Sequence, residues 1–174
     1  GGSTAGIAAA LNEGRSLINY LGHGSGTGWG SVDFTNSDVA ALTNGWAQPW
    51  IIDVACSNGD FSLGECFAEA WLRAGTVAAP KGAIAMYGAS NLSSWVPPTV
   101  MQAEAVDLLC AEAENTIGSL YFSGGMETLD QYPGSEGNKL IQQYNIFGDC
   151  SLSVRTTHPS AIAAVHPAII PLNA

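Results

Sequence analysis

Basic residues are scarce in this sequence. Five Lys and Arg stand against fifteen Asp and Glu in 174 residues, a formal net charge of −10. So few cations cannot neutralise a run of phosphates, which argues against nucleic acid and anionic membranes as partners. No stretch reaches the ~18 apolar residues of a membrane span. Cysteine is limited to Cys56, Cys66, Cys110 and Cys150, with no CxxC pair and no Cys/His cluster at zinc spacing, so no metal site is expected from them. Two disulfides, one or none remain open. The start, Gly1-Gly2-Ser3-Thr4-Ala5-Gly6, has no Met, no basic opening and no apolar run, which excludes a signal peptide there and suggests a processed or excised piece of a longer protein. Charged residues make up only 11 %, but hydrophobic ones make up 47 %, enough for a packed core and too much for a disordered chain. The length suits one domain.

Apolar runs alternate with helical patterns. Residues 7–12 have a short helical pattern broken at Glu13-Gly14, and 16–21 form a buried strand that runs into Gly22-His23-Gly24-Ser25-Gly26-Thr27-Gly28. Asn36 or Ser37, with Asp38, caps a short helix over 39–42. A second apolar run, 50–55, ends at Cys56-Ser57-Asn58-Gly59-Asp60. Phe67, Ala70, Trp71 and Ala74 recur at helical spacing before Gly75. Residues 82–89 form a third buried strand leading into a loop over 90–98. Thr99 with Gln102 predicts a capping box for a helix reaching about Glu114. Further helices are expected at 117–124 and 136–144, and a short strand at 151–155. Buried strands alternating with helices predict an α/β sandwich with a mostly parallel sheet, whose ligand sites lie beyond the carboxyl ends of the strands. The loops at His23 and Cys56 both follow such strands.

By residue type alone Cys56 would be a small core residue. Its position at the end of an apolar strand and the start of a polar turn puts its sulfur near the surface instead, where a neighbouring imidazolium or oriented amides can favour the nucleophilic thiolate. His23 lies thirty-three residues upstream, between glycines that let a substrate backbone approach. The amides of Gly24 and Cys56 are then candidate donors to a developing oxyanion. Other readings fit less well. Gly22 to Gly26 does not centre a serine as a nucleophile elbow requires, and no Walker-type Lys follows the glycines. Asp33, Asp38, Asp53 and Asp60 offer ligands for a hard cation without forming an EF-hand, so a structural calcium is compatible with the sequence.

Residues 19–25 (Asn-Tyr-Leu-Gly-His-Gly-Ser), 54–61 (Val-Ala-Cys-Ser-Asn-Gly-Asp-Phe) and 66–70 (Cys-Phe-Ala-Glu-Ala) together resemble the catalytic segment of the gingipain family. These are cysteine peptidases with a caspase-like fold, a three-layer sandwich. The likeness runs on through 82–85 and 90–98 to 144–149, about residues 16–155 in all. It implies a secreted or surface-bound bacterial endopeptidase that needs no cofactor and acts on protein or peptide substrates. Cys56 would be the nucleophile that forms an acyl-enzyme, His23 the acid that protonates the leaving amine, and the amides of Gly24 and Cys56 the oxyanion hole. Trp95 would wall the pocket for the residue preceding the cut, with Tyr87 and Ser90 beside the substrate. On residue type alone Trp95 is equally a surface or core hydrophobe.

The resemblance also implies an upstream half that supplies an acid to orient the histidine and another at the pocket floor. Only twenty-two residues precede His23, so either a companion chain cut from the same precursor provides both, or the sequence is an incomplete fragment of the catalytic unit. Residues 1–157 would form the catalytic unit, and 158–174 a linker and the start of an immunoglobulin-like domain. The family's Gly-Asp-Pro is Gly148-Asp149-Cys150 here, which makes a Cys110–Cys150 bridge a candidate pairing. Two other functions stay open at this point: a sortase-like maturation peptidase of a secretion system, and a non-catalytic surface or adhesion module. Retention of both His23 and Cys56 in their motifs favours catalysis.

Overall fold

The structure, a computed structural model, describes residues 2–157. The immunoglobulin-like start expected at 158–174 lies outside them. Four strands form one sheet in the order β1 (Leu17–Leu21), β4 (Trp50–Val54), β5 (Ala85–Ala89), β6 (Tyr144–Gly148), and β2 (Gly28–Trp29) pairs with β3 (Phe34–Thr35) as a small hairpin between the first two. β1, β4 and β5 run parallel, and β6 lies antiparallel to β5. Every residue of β4 and β5 is buried, as expected for central strands covered on both faces.

Alternation along these strands divides the core in two. On one face Ile51 and Met86 meet α1 (Thr4–Asn12), α2 (Asn36–Ala41) and α3 (Phe67–Arg73) through Leu11, Val39, Phe67 and Trp71. On the other, Trp50, Ile52, Ala85 and Tyr87 meet α4 (Pro97–Cys110), α5 (Ile117–Gln131) and α6 (Ser135–Gln143) through Met101, Ala105, Ile117, Leu120 and Leu140. The result is the three-layer sandwich with a mostly parallel sheet that the sequence predicts.

Local details differ from expectation for identifiable reasons. β1 is only half-buried, because among the described residues it is an edge strand. The cap of α2 is Thr35, one residue earlier than expected, closing a capping box with Asp38. No capping box forms at Thr99. α4 begins at Pro97, where a missing N–H costs nothing, the Thr99 hydroxyl donates to the Val96 carbonyl, and Gln102 instead donates to the Tyr20 carbonyl at 2.9 Å. α5 continues past Gly124-Gly125 to Gln131. A Cβ on Gly124 would come within 2.6 Å of the Met101 carbonyl oxygen and one on Gly125 within 2.8 Å of Ile141 Cδ1, so these glycines seat α5 against α4 and α6 rather than ending it. The segment 151–155 makes only a single bridge, Thr116 with Ser153, because the preceding residues 144–148 occupy the sheet edge as β6. All four cysteines are free thiols, so Cys110 and Cys150, both exposed, form no bridge.

The α4–α5 contact gives a direct test. Gly124→Val must force the two helices apart and is expected to destabilise the domain by about 1–3 kcal/mol, the range for overpacking a tight interface. An unchanged thermal midpoint in calorimetry would contradict this packing.

Candidate active site

His23 leaves the carboxyl end of β1 in a loop whose backbone is fixed at three points. Its N–H donates to Ser31 Oγ at 3.1 Å, and its carbonyl accepts from the Gly30 N–H at 2.8 Å and from the Tyr20 hydroxyl at 3.0 Å. The imidazole is therefore carried on a rigid turn. Its ring stands edge-on to Trp95, with centroids 5.2 Å apart and planes at 83°. Among the described residues the imidazole has no hydrogen-bond partner.

Cys56 leaves the carboxyl end of the adjacent strand, β4. The next residue, Ser57, has φ +59°, a left-handed conformation that side chains other than glycine seldom adopt. That kink turns the chain sharply and leaves the thiol facing outward. Ser57 N–H then bonds the Asn91 carbonyl at 3.1 Å, and Gly59 N–H bonds the Ala89 carbonyl at 2.8 Å, which docks the turn on the end of β5. The Ser93 N–H points at Cys56 Sγ at 3.5 Å.

The two loops meet in a cleft of about 230 Å³ lined by Gly22, His23, Val54, Ala55, Cys56, Ser93, Ser94, Trp95 and Tyr144. Gly24 makes this convergence possible. A Cβ there would collide with the Cys56 carbonyl oxygen and press to 3.0 Å on both Ala55 Cβ and Asn58 Cγ. Only a residue without a side chain lets the two backbones touch. Among the described residues neither the Gly24 N–H nor the Cys56 N–H has an acceptor, so both are available to an anionic oxygen.

Four expected residues thus converge: His23, Gly24 and Cys56 by backbone contact and cleft lining, and Trp95 as a wall, more than half exposed. Two do not. Tyr87 is buried one layer behind the cleft, its ring 4.9 Å from Tyr144 and 5.0 Å from Tyr121, because alternation along β5 turns it into the core under α5. Ser90 spends both its N–H and its hydroxyl on the Gln143 carbonyl, at 2.8 and 2.9 Å, where it fastens β5 to the end of α6. Tyr144, Ser93 and Ser94 take their place. Tyr144 is buried with its hydroxyl 3.0 Å from Ser93 Oγ, and burial raises its pKa well beyond the ordinary tyrosine range. The apolar texture of 144–148 could have signalled a strand, but the helical pattern before it masked the boundary.

The aspartates do not assemble a cation site, and no three His, Cys, Asp or Glu side chains cluster for a metal among the described residues. Asp38 belongs to the α2 cap, and Asp60 accepts from Ser62 in its own loop. Asp53 is fully buried on the aromatic face of the sheet, at a position where alternation calls for an apolar residue. Its Oδ1 accepts from Trp29 Nε1 at 2.6 Å, and its Oδ2 from Asn58 Nδ2 at 3.0 Å.

A three-layer α/β sandwich with a mostly parallel sheet, and with a thiol and an imidazole in one cleft at its carboxyl edge, is a caspase-like fold. The chain belongs to Peptidase family C25, whose family model matches residues 2–155. It is 39 % identical over 173 residues to Gingipain R2 of Porphyromonas gingivalis, covering 97 % of this chain and 23 % of that protein. It is 26 % identical over 189 residues to Lys-gingipain of the same bacterium, covering 94 % of this chain and 11 % of that protein. The structure superposes on the crystal structure of the Arg-specific cysteine proteinase gingipain R with a TM-score of 0.86 at 38 % identity, over 92 % of this chain and 38 % of that one. It superposes on a complex of Porphyromonas gingivalis RgpB pro- and mature domains with a TM-score of 0.85 at 39 % identity, over 92 % of this chain and 39 % of that one. The chain therefore spans less than half the length of each of these relatives. No helix among the described residues is long and apolar enough to cross a membrane.

Burial pushes the Asp53 carboxyl up from its ordinary 3.8 to about 7, against the opposing pull of its hydrogen bonds from Trp29 and Asn58. Between roughly pH 4 and pH 7 the native protein then holds a proton on Asp53 that the unfolded chain has released, so stability falls as pH rises through that window. The thermal midpoint is expected to drop from pH 5 to pH 7.5 by more in the native sequence than in Asp53→Asn. Parallel pH profiles for the two proteins would show that Asp53 carries no such linkage.

Proposed function

We propose that this chain carries the nucleophile and the acid–base partner of a cysteine endopeptidase. The observation that supports it most directly is the meeting of His23 and Cys56 in one cleft beside two amide N–H groups that have no acceptor among the described residues. In this reading the Cys56 thiolate attacks the scissile carbonyl carbon. The oxygen takes the negative charge and is held by the Gly24 and Cys56 N–H groups. Protonated His23 gives its proton to the departing amine as the C–N bond breaks, leaving a thioester on Cys56. Water then attacks the thioester with His23 accepting its proton, which frees the acid product and restores the thiol. The scheme uses only side chains and main-chain amides.

Trp95 forms one wall of the pocket for the residue preceding the cut and limits the swing of His23 through their edge-on contact. The described lining contains no carboxylate, so a preference for a basic side chain would be set by residues elsewhere in the protein. The unpartnered imidazole fits an orienting acid contributed by a companion segment of the same precursor. The family relatives, their bacterial source and the acidic, charge-poor composition support action outside a bacterial cell or at its surface.

A thiol-reactive peptidyl ketone should modify Cys56, and Cys56→Ala should abolish labelling and lower peptide hydrolysis by about 10³-fold or more. Equal modification of Cys66 or Cys110 would sink the assignment. Mass spectrometry of the native protein should also find a companion chain associated with this one. A lone 174-residue species with full activity would refute that part.

A further inference from the structure

Asp53 and Asn58 are two fully buried polar side chains that the scheme above leaves unused, and they link the Cys56 turn to the His23 loop. Asn58 uses both ends of its amide. Its Nδ2 donates to Asp53 Oδ2 at 3.0 Å, and its Oδ1 accepts from the Gly26 N–H at 3.1 Å. Asp53, on β4, lies three residues before Cys56, Asn58 two residues after it, and Gly26 three residues after His23. The same two residues hold the start of α3 through their carbonyls, Gly26 accepting from Phe67 N–H at 2.8 Å and Asn58 from Ala68 N–H at 2.9 Å. Between these anchors the Asn58 side chain backs Gly24, near enough that a Cβ on Gly24 would stand 3.0 Å from Asn58 Cγ.

We propose that Asn58, oriented by Asp53, is a positioning residue that sets the spacing between the Gly24 and Cys56 N–H groups and so builds the oxyanion hole. The proposal rests on the peptidase reading above. Its physical basis is geometric. An oxyanion donor acts only when it lies about 2.7–3.1 Å from the developing charge, and a site set loose by about 1 Å loses most of its effect. Gly24 and Cys56 sit on different loops, with no backbone hydrogen bond joining the two residues to each other among the described residues. Asn58 supplies that tie. Asp53 fixes its direction, because an acceptor facing Nδ2 leaves Oδ1 aimed at Gly26. An amide at position 53 could present NH₂ to NH₂, turning the Asn58 amide over and breaking the Gly26 bond.

The test separates the oxyanion hole from the nucleophile, and uses the intact protein. Peptide-amide hydrolysis needs both, whereas alkylation of Cys56 by iodoacetamide needs the thiol but no oxyanion. Asn58→Ala is expected to lower kcat by about 10²-fold, in the range of losing one oxyanion donor, with KM and the alkylation rate within about threefold of native. Asp53→Asn should show the same pattern more mildly, and serves as the second variant if Asn58→Ala does not fold. Unchanged kcat in a folded variant would overturn the proposal, as would a parallel fall in kcat and alkylation, which marks general collapse of the site. Failure of Cys56 to be alkylated or to support hydrolysis in the native protein would instead count against the peptidase reading itself.

Discussion

The site depends on the backbone contact between two strand-end loops, at Gly24 and Cys56. Parallel strands splay their loops at the carboxyl edge, and nothing in a sheet ladder forces neighbouring loops together. Here contact is reached because position 24 has no side chain, and the left-handed backbone at Ser57 turns the Cys56 loop onto the end of β5. Strain at Ser57 persists because its own N–H and that of Gly59 are pinned to the Asn91 and Ala89 carbonyls.

Behind that contact the packing is unequal on the two faces of the sheet. The face beneath the site is aromatic: Trp29 stacks on Tyr20 at 4.8 Å and meets Phe34, Phe67 and Trp71 at 5.1–5.8 Å. This rigid cluster holds the one carboxyl buried among the described residues, Asp53, through the Trp29 indole N–H. A charge-capable group in such surroundings is costly unless both oxygens are satisfied, and they are. The other face carries α4 and α5 in close contact and delivers Trp95 and Ser93 from the loop before α4. The cleft is therefore assembled from the strand-end loops and the loop before α4, with the sheet edge as its base.

Much of this arrangement was legible in the residue pattern. The buried runs gave β4 and β5, and the glycine-flanked histidine and the strand-end cysteine were read as partners that the structure does bring to one cleft, with Gly24 against Cys56. What was not legible had tertiary causes. Tyr87 was expected at the substrate and lies in the core because β5 alternation turns it under α5. Tyr144 reached the cleft because β6 adds antiparallel at the sheet edge, a pairing that a helical pattern running up to it conceals. Asp53 was read only as one possible ligand for a hard cation, since its two hydrogen-bond donors come from positions 29 and 58.

By itself the sequence determined the elements and the side chains they carry: which segments are apolar enough to be central strands, where glycine and polar turns interrupt them, and which thiol and imidazole stand at those interruptions. These follow from local periodicity and residue type, and neighbours in the chain are enough to read them. Tertiary structure alone decided which side chains share the cleft, which carbonyl lies against Gly24, and that Asn58 bridges a loop from one strand to the end of the next. Those facts depend on strand order and on the side of the sheet each residue faces, and contacts across tens of residues are fixed only when the layers close.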